Sequence, residues 1–141
     1  MSKEQIVVRR AGVADAPGIH RVLRQLHPEL PASTTLPRVR LEARTFVVGE
    51  PVAGVAVVTF VDYGAGAYGM LEELVVDRAS RGAGLGSRLL AECREWLVGL
   101  GAEVVFVSAI DAEAAGFYRA SGFVDCVGPW LYWGQGAVGG V

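Results

Sequence analysis

At 141 residues, 52% hydrophobic and 20% charged, the chain is long enough for one domain with a buried core and too short for two of ordinary size. Its 13 basic and 15 acidic residues leave a formal charge of −2, with Lys3 the sole lysine and the arginines scattered, which speaks against a nucleic-acid binder. Cys93 and Cys126 are too few and too far apart for a disulfide framework or a CxxC site, and His20 and His27 are too few for a His-rich metal site.

The N-terminus, Met-Ser-Lys-Glu-Gln, lacks the basic-then-apolar pattern of a signal segment, and no apolar run reaches the roughly 20 residues that span a bilayer. The expectation is a cytoplasmic protein that does not enter a membrane. In chain order, residues 6–10 read as a first strand. Asp15 is a candidate N-cap for a helix over 16–26, with Pro17 in its first turn and Ile19, Leu23 and Leu26 as its apolar stripe. Pro28, Pro31 and Pro37 make 30–37 a loop, and a short helix over 38–43 follows.

Residues 45–48 and 52–61 are β-rich runs joined by Gly49-Glu50-Pro51, a hairpin signal. A turn over 62–69 leads to a strand over 70–76. The next helix carries Leu85, Leu89, Leu90, Cys93, Trp96, Leu97 and Leu100 on one face, and Gly99 or Gly101 ends it. Residues 104–110 form a continuous apolar run expected as a strand buried on both sides. A short helix over 112–120 and two closing strands, 122–127 and 130–133, complete a mixed α/β (α+β) layer architecture, with 134–141 as a frayed glycine-rich tail.

The chemistry concentrates in Leu71-Glu-Glu-Leu-Val-Val-Asp-Arg-Ala-Ser-Arg-Gly-Ala-Gly-Leu-Gly-Ser87, where a strand runs into a glycine loop that opens a helix. Free N–H groups at a helix start, backed by the macrodipole, attract an anion; glycines admit it closely and Arg81 adds positive charge. Glu72 and Glu73 lie on the strand leading in. No Walker lysine follows Gly86, and Ser87 stands where a dinucleotide fingerprint needs glycine or alanine. What remains is Arg-x-x-Gly-x-Gly, as Arg81-Gly82-Ala83-Gly84-Leu85-Gly86.

Downstream, Asp111-Ala-Glu-Ala-Ala-Gly-Phe-Tyr-Arg-Ala-Ser-Gly-Phe123 resembles the N-x-x-A-x-x-F-Y…G-F segment of the Gcn5-related N-acetyltransferases, the GNAT superfamily. Residues 71–77 look like that family's fourth strand and 8–19 like its first strand and helix, so the resemblance covers about residues 6–133. It implies a single domain over 1–141, with a mixed, mostly antiparallel central sheet flanked by helices. It also implies acetyl-CoA as co-substrate, no metal, and direct acetyl transfer to a small-molecule or protein amine.

By that resemblance the loop Arg81, Gly82, Ala83, Gly84, Leu85, Gly86 and Ser87 holds the pyrophosphate. The backbone of Leu74, Val75 and Val76 pairs with the pantetheine arm, the Val76 N–H being a candidate donor to the thioester oxygen. Asp111, Ala114, Phe117 and Tyr118 complete the cofactor contacts, with Tyr118 as candidate general acid and Phe117 as core. Asp111 stands where asparagine is frequent; an ionised carboxylate accepts a hydrogen bond but donates none.

Glu72 or Glu73 would take the amine proton, directly or through a water. Strand alternation puts their side chains on opposite faces, Glu72 with Leu74 and Val76, Glu73 with Val75 and Asp77, so one at most is expected in the acceptor cleft. His20, His27, Glu29, Tyr63 and Tyr68 fall where the family sets acceptor choice, though packing is the plainer reading of both histidines. The aromatic run Trp130, Tyr132 and Trp133 would pair across a homodimer or close the sheet. Two rivals stand beside the enzyme: a non-catalytic acyl-CoA sensor on the same fold, and a generic phosphate binder.

Overall fold

The structure, a computed structural model, describes residues 6–136. They fall into two compact units that divide between Ser108 and Ala109.

The first unit is built on a four-stranded sheet in the order β1-β2-β3-β4: β1 (Arg40–Val48), β2 (Gly54–Asp62), β3 (Tyr68–Val76) and β4 (Val104–Val107). β1 and β2 form the expected hairpin, Val48 opposite Gly54 and Arg40 opposite Asp62. The turn depends on Gly49, whose φ of +89° is left-handed. β3 returns antiparallel to β2, and β4 lies parallel to β3 after a crossover through α2 (Leu85–Leu100). Parallel neighbours require such a crossover. This is the mixed, mostly antiparallel α/β architecture expected.

On β2, Gly54, Ala56, Val58 and Phe60 are buried while their neighbours are half-exposed. α2 packs on that buried face through Leu89, Leu90, Cys93 and Leu97, the stripe anticipated from its spacing. Phe46 meets Trp96 edge-on at 6.3 Å between centroids. Gly101, with φ +105°, ends the helix; its N–H and that of Ala102 close on the carbonyls of Val98 and Leu97, both at 3.0 Å.

Several expected elements differ. Residues 6–10 form no strand: Ile6, Val7 and Val8 are exposed, and the segment is held locally by Arg9 on Asp15. Asp15 does not cap the helix with its side chain; its carboxylate accepts instead from Arg9 and from the Gly12 N–H. α1 spans Ala16–Leu23 and stops before Leu26, which is exposed. Its end tightens through Gln25 and Leu26 N–H bonds to Val22 and Leu23, ahead of Pro28, which disfavours helical geometry at the residue before it.

The helix expected over 38–43 is instead the first half of β1, because pairing with 58–62 outweighs local propensity. β4 ends at Val107 and its flank is open, with Val104 and Ile110 exposed, so the doubly buried strand over 104–110 is not observed.

The second unit holds α3 (Ala112–Ala120), as expected, started by the Asp111 side chain accepting from the Ala114 N–H at 2.8 Å. The segments 122–127 and 130–133 join no strand among the described residues, and Val124, Val127, Leu131 and Trp133 are well exposed. Gly122 and Gly128, at φ +99° and +90°, with Pro129, turn the chain too often for a ladder to propagate. Most of the tail expected to fray, 137–141, lies outside the described residues.

Candidate functional site

The register of β2 and β3 slips between Val57 and Val58: Val57 faces Glu73, and Val58 faces Leu71. Glu72 is therefore the extra residue of a β-bulge. Before it, Gly69 and Leu71 are the buried residues of β3; after it, the even positions Leu74 and Val76 are the less exposed ones. The bulge resets the alternation. Glu73 pairs with Val57, and Glu72 accepts a hydrogen bond from Thr59 Oγ1 at 2.9 Å, so both acids stand on the face away from α2. The expectation of opposite faces is corrected, and both carboxylates are exposed. The signal was present in the apolar spacing: Leu71 to Leu74 is three residues, which a strand of period two cannot hold on one face without an insertion.

The bulge also frees an edge. β4 pairs with β3 only from Tyr68 to Leu71, so 72–76 has no strand on that side among the described residues. The Asp77 N–H donates to the Ala53 carbonyl at 2.7 Å, which fixes the phase of the ladder. Asp77, Val75 and Glu73 turn their peptide groups to β2, whereas Leu74 and Val76 turn theirs to the open edge. The Val76 carbonyl is engaged there by Arg81 Nε at 3.3 Å. Arg81 thus lies back along the strand end and joins the open edge of β3 to the glycine loop.

Beyond a short 3-10 turn over Arg78–Ser80, the chain passes Gly82 and Gly84 at φ +87° and +76°, a backbone that glycine alone adopts at little cost. Gly84 is the N-cap of α2 and has no side chain with which to cap it, and the first turn carries no acid. The leading N–H groups of α2, around Leu85, Gly86 and Ser87, face outward with the positive end of the macrodipole behind them. Chemically this is a place for an anion. The segment fits the phosphate end of a CoA-type group, and the open edge at Leu74 and Val76 fits an extended amide-bearing arm.

In the second unit, Asp111 spends Oδ1 on capping α3. Ala114 and Phe117 are half-buried. Tyr118 is buried at 8% exposure, and its ring packs against Phe117 and Phe123 at 5.3 and 5.5 Å between centroids. The division of roles expected for this pair is thus reversed in burial: Tyr118, not Phe117, is the more enclosed.

Among the residues expected at the acceptor end, Tyr68 stacks edge-on against Phe106 at 5.8 Å, and His27 Nδ1 lies 3.7 Å from Glu29. His20 donates from Nε2 to the Thr35 carbonyl at 2.9 Å. Sequence reasoning passed over Thr59, since a threonine in an apolar strand carries no signal of its partner. Among the described residues no group of three or more His, Cys, Asp or Glu side chains is placed to hold a metal, and no helix is long and apolar enough to cross a membrane.

An open strand edge leads into an uncapped, glycine-hinged helix start, on a mixed sheet crossed by one helix, a frame with room for an extended phosphate-bearing group. A family model described as "Acetyltransferase (GNAT) domain" matches residues 42–125, well over half of the chain, and the chain belongs to that family. All of the residues singled out from Glu72 to Tyr118 fall inside the match.

Three solved structures illustrate the likeness. A protein of Arthrobacter sp. FB24, provisionally described as an acetyltransferase, is 28% identical over 96% of this chain and 98% of its own, with a TM-score of 0.55. One of Pyrococcus furiosus, described in the same way, is 25% identical over 64% of this chain, which spans only 65% of its length; the TM-score is 0.55. The aminoglycoside N-acetyltransferase AAC(6')-Iy, solved in complex with CoA, is 20% identical over 64% of this chain and 75% of its own, TM-score 0.55, a likeness of fold. No curated protein matches the sequence.

Proposed function

We propose that the chain is a single-domain, cytoplasmic, acetyl-CoA-dependent N-acetyltransferase that moves the acetyl group directly to a primary amine. The observation that carries this reading is the open edge of β3 beyond the bulge, continuous with the uncapped start of α2. The family match, running from 42 to 125 across the division between the units, supports one domain.

Acetyl-CoA, when bound, supplies an activated acyl thioester. The α2 N–H groups and the remaining N–H groups of Arg81 would hold its phosphates; the Leu74 peptide group and the Val76 N–H would align its arm by strand addition. The Val76 N–H donates toward the carbonyl oxygen as negative charge grows there. Glu72, oriented by Thr59, or Glu73 beside it removes the proton that an amine carries at neutral pH. As the new C–N bond forms and the C–S bond breaks, the Tyr118 hydroxyl would give its proton to the departing sulfur, and the second proton lost by the acylated nitrogen would return through water to the Tyr118 oxygen. The two acids on one face favour a cationic amine, small or on a protein.

A free-thiol release assay with acetyl-CoA and a panel of amines tests the reading, run with Glu72→Gln, Glu73→Gln and Tyr118→Phe. Amine-dependent release that falls in the Tyr118 variant and in one glutamate variant supports it. Release unchanged in all three overturns the role assignments. CoA binding without release on any amine turns the assignment to an acyl-CoA sensor.

A further inference from the structure

The sheet face turned away from α2 carries more than its two acids. Residues paired across a ladder share a face, and Thr59, whose hydroxyl holds Glu72, stands opposite Ala43 of β1. Glu72, Thr59 and Ala43 thus form a line across three strands. Ala43 is the smallest side chain of its row. Exposed Leu41 stands on one side of it and Thr45, opposite Val57, on the other, so the face dips there. Two strand spacings, about 10 Å, separate the acids from β1, length for a short arm and one ring. β1 is the edge of the sheet, so the dip opens outward.

The charges of this face are as uneven as its relief. Arg40, Glu42 and Arg44 pair with Asp62, Phe60 and Val58 on the α2 side, where Arg44 stands over the Trp96 ring at 5.0 Å. Glu72 and Glu73 are then the only charged residues of the four strands on the other face, and neither joins an ion pair among the described residues. From Val57 and Thr59 to Ala43 and Leu41 the path is uncharged and mostly apolar. One ammonium is matched at the acids; a second, farther along, would lie over apolar groups with no carboxylate to meet it. We propose that the acceptor is a small monoamine with an apolar chain or ring as its body, the ammonium at Glu72 and Glu73 and the body over Thr59 in the dip at Ala43. The inference rests on acetyl transfer at these acids. Ala43 and Leu41 then set acceptor choice, outside the positions 20–29, 63 and 68 first expected to do so.

Thiol release from acetyl-CoA by the full chain tests the proposal. The acceptors are phenethylamine, the n-alkylamines from methyl to hexyl, 1,4-diaminobutane, spermidine and a lysine blocked at both its backbone ends. Along the alkyl series kcat/KM should rise about two- to fourfold per methylene. Phenethylamine should exceed the diamine and spermidine by about tenfold or more. Ala43→Phe, which fills the dip at an exposed strand position, should cut the ratio of phenethylamine to methylamine turnover about tenfold. Should that variant not fold, the alkyl series on the unmodified chain decides alone. A flat alkyl series, equal or better turnover of the diamine, spermidine or the blocked lysine, or an unchanged ratio in folded Ala43→Phe overturns the proposal and leaves acetyl transfer standing. Release on no amine at all removes acetyl transfer itself, and the proposal with it.

Discussion

Thr59 Oγ1 donates to Glu72 Oε2 at 2.9 Å across the β2–β3 ladder, at the point where β3 bulges. The bond fixes one oxygen of an exposed carboxylate and leaves the other to face an incoming group. Thr59→Val, which removes the donor and keeps the shape, should lower kcat/KM for acetyl transfer by up to about tenfold. If Glu72 rather than Glu73 is the base, Glu72→Gln should cost about 10²-fold or more and Glu73→Gln much less. An unchanged kcat/KM in Thr59→Val would remove Thr59 from the positioning role.

Gly69 and Leu97 pack closely enough to fix the spacing of β3 and α2. A Cβ at Gly69 would stand 2.5 and 2.6 Å from the two Leu97 methyls, and Leu97 is wholly buried. Gly69→Ala should therefore destabilise the fold by about 1–3 kcal/mol through overpacking. Gly99, on the exposed side of α2, has nothing within 4 Å, so Gly99→Ala should instead stabilise by about 0.5–1 kcal/mol. Urea unfolding midpoints of opposite sign at unchanged slope would verify both. A neutral Gly69→Ala would mean that α2 stands farther from the sheet.

The parts of this molecule written in local pattern were legible in advance. The stripe Leu89, Leu90, Cys93 and Leu97, the Gly49 turn, and the glycines at 82 and 84 each carry a period or a backbone demand that sequence displays. The bulge at Glu72 was not read, because alternation was applied as though no residue were inserted, and the two acids were set on opposite faces. β1 was half mistaken for a helix because its first residues become a strand only by pairing with 58–62. The segment 6–10 has strand composition and no partner, which composition does not reveal. Roles for Asp111 and Tyr118 came from resemblance, and the local contacts add a structural duty to each: a helix cap and an aromatic cluster.

Asp15 holds the approach to α1 through two bonds to Arg9, at 2.6 and 2.7 Å, and one from the Gly12 N–H at 2.8 Å. The Arg9 guanidinium first, and the Gly12 amide next, hold its carboxyl well below its ordinary value of 3.8. A carboxylate depressed in the folded state contributes stability that is complete above its unfolded value and is lost as pH falls through the folded one. The tether should thus persist as pH drops past 4 and release only in stronger acid. NMR titration of the Asp15 carboxyl carbon should give a midpoint far below its ordinary value of 3.8. Asp15→Asn should abolish this part of the acid dependence, and an ordinary Asp15 midpoint would show that the Arg9 pair does not form in solution.

Cys93 and Cys126 should separate cleanly by reactivity. Cys93 is 1% exposed on the inner face of α2, and burial, with the neighbouring Glu92 charge, pushes its thiol up; Cys126 is exposed in the second unit. Since the thiolate is the reactive form, an aromatic disulfide reagent at neutral pH should label one thiol of the folded chain quickly and the second only on unfolding. Cys126→Ser should remove the fast phase and Cys93→Ala should leave it intact. Fast labelling of Cys93 would contradict the packing of α2 on β2 and β3, from which the position of the glycine loop follows. The Cys126→Ser chain then also gives the thiol-release assay a quiet baseline, so that any thiol appearing with an added amine is that of CoA.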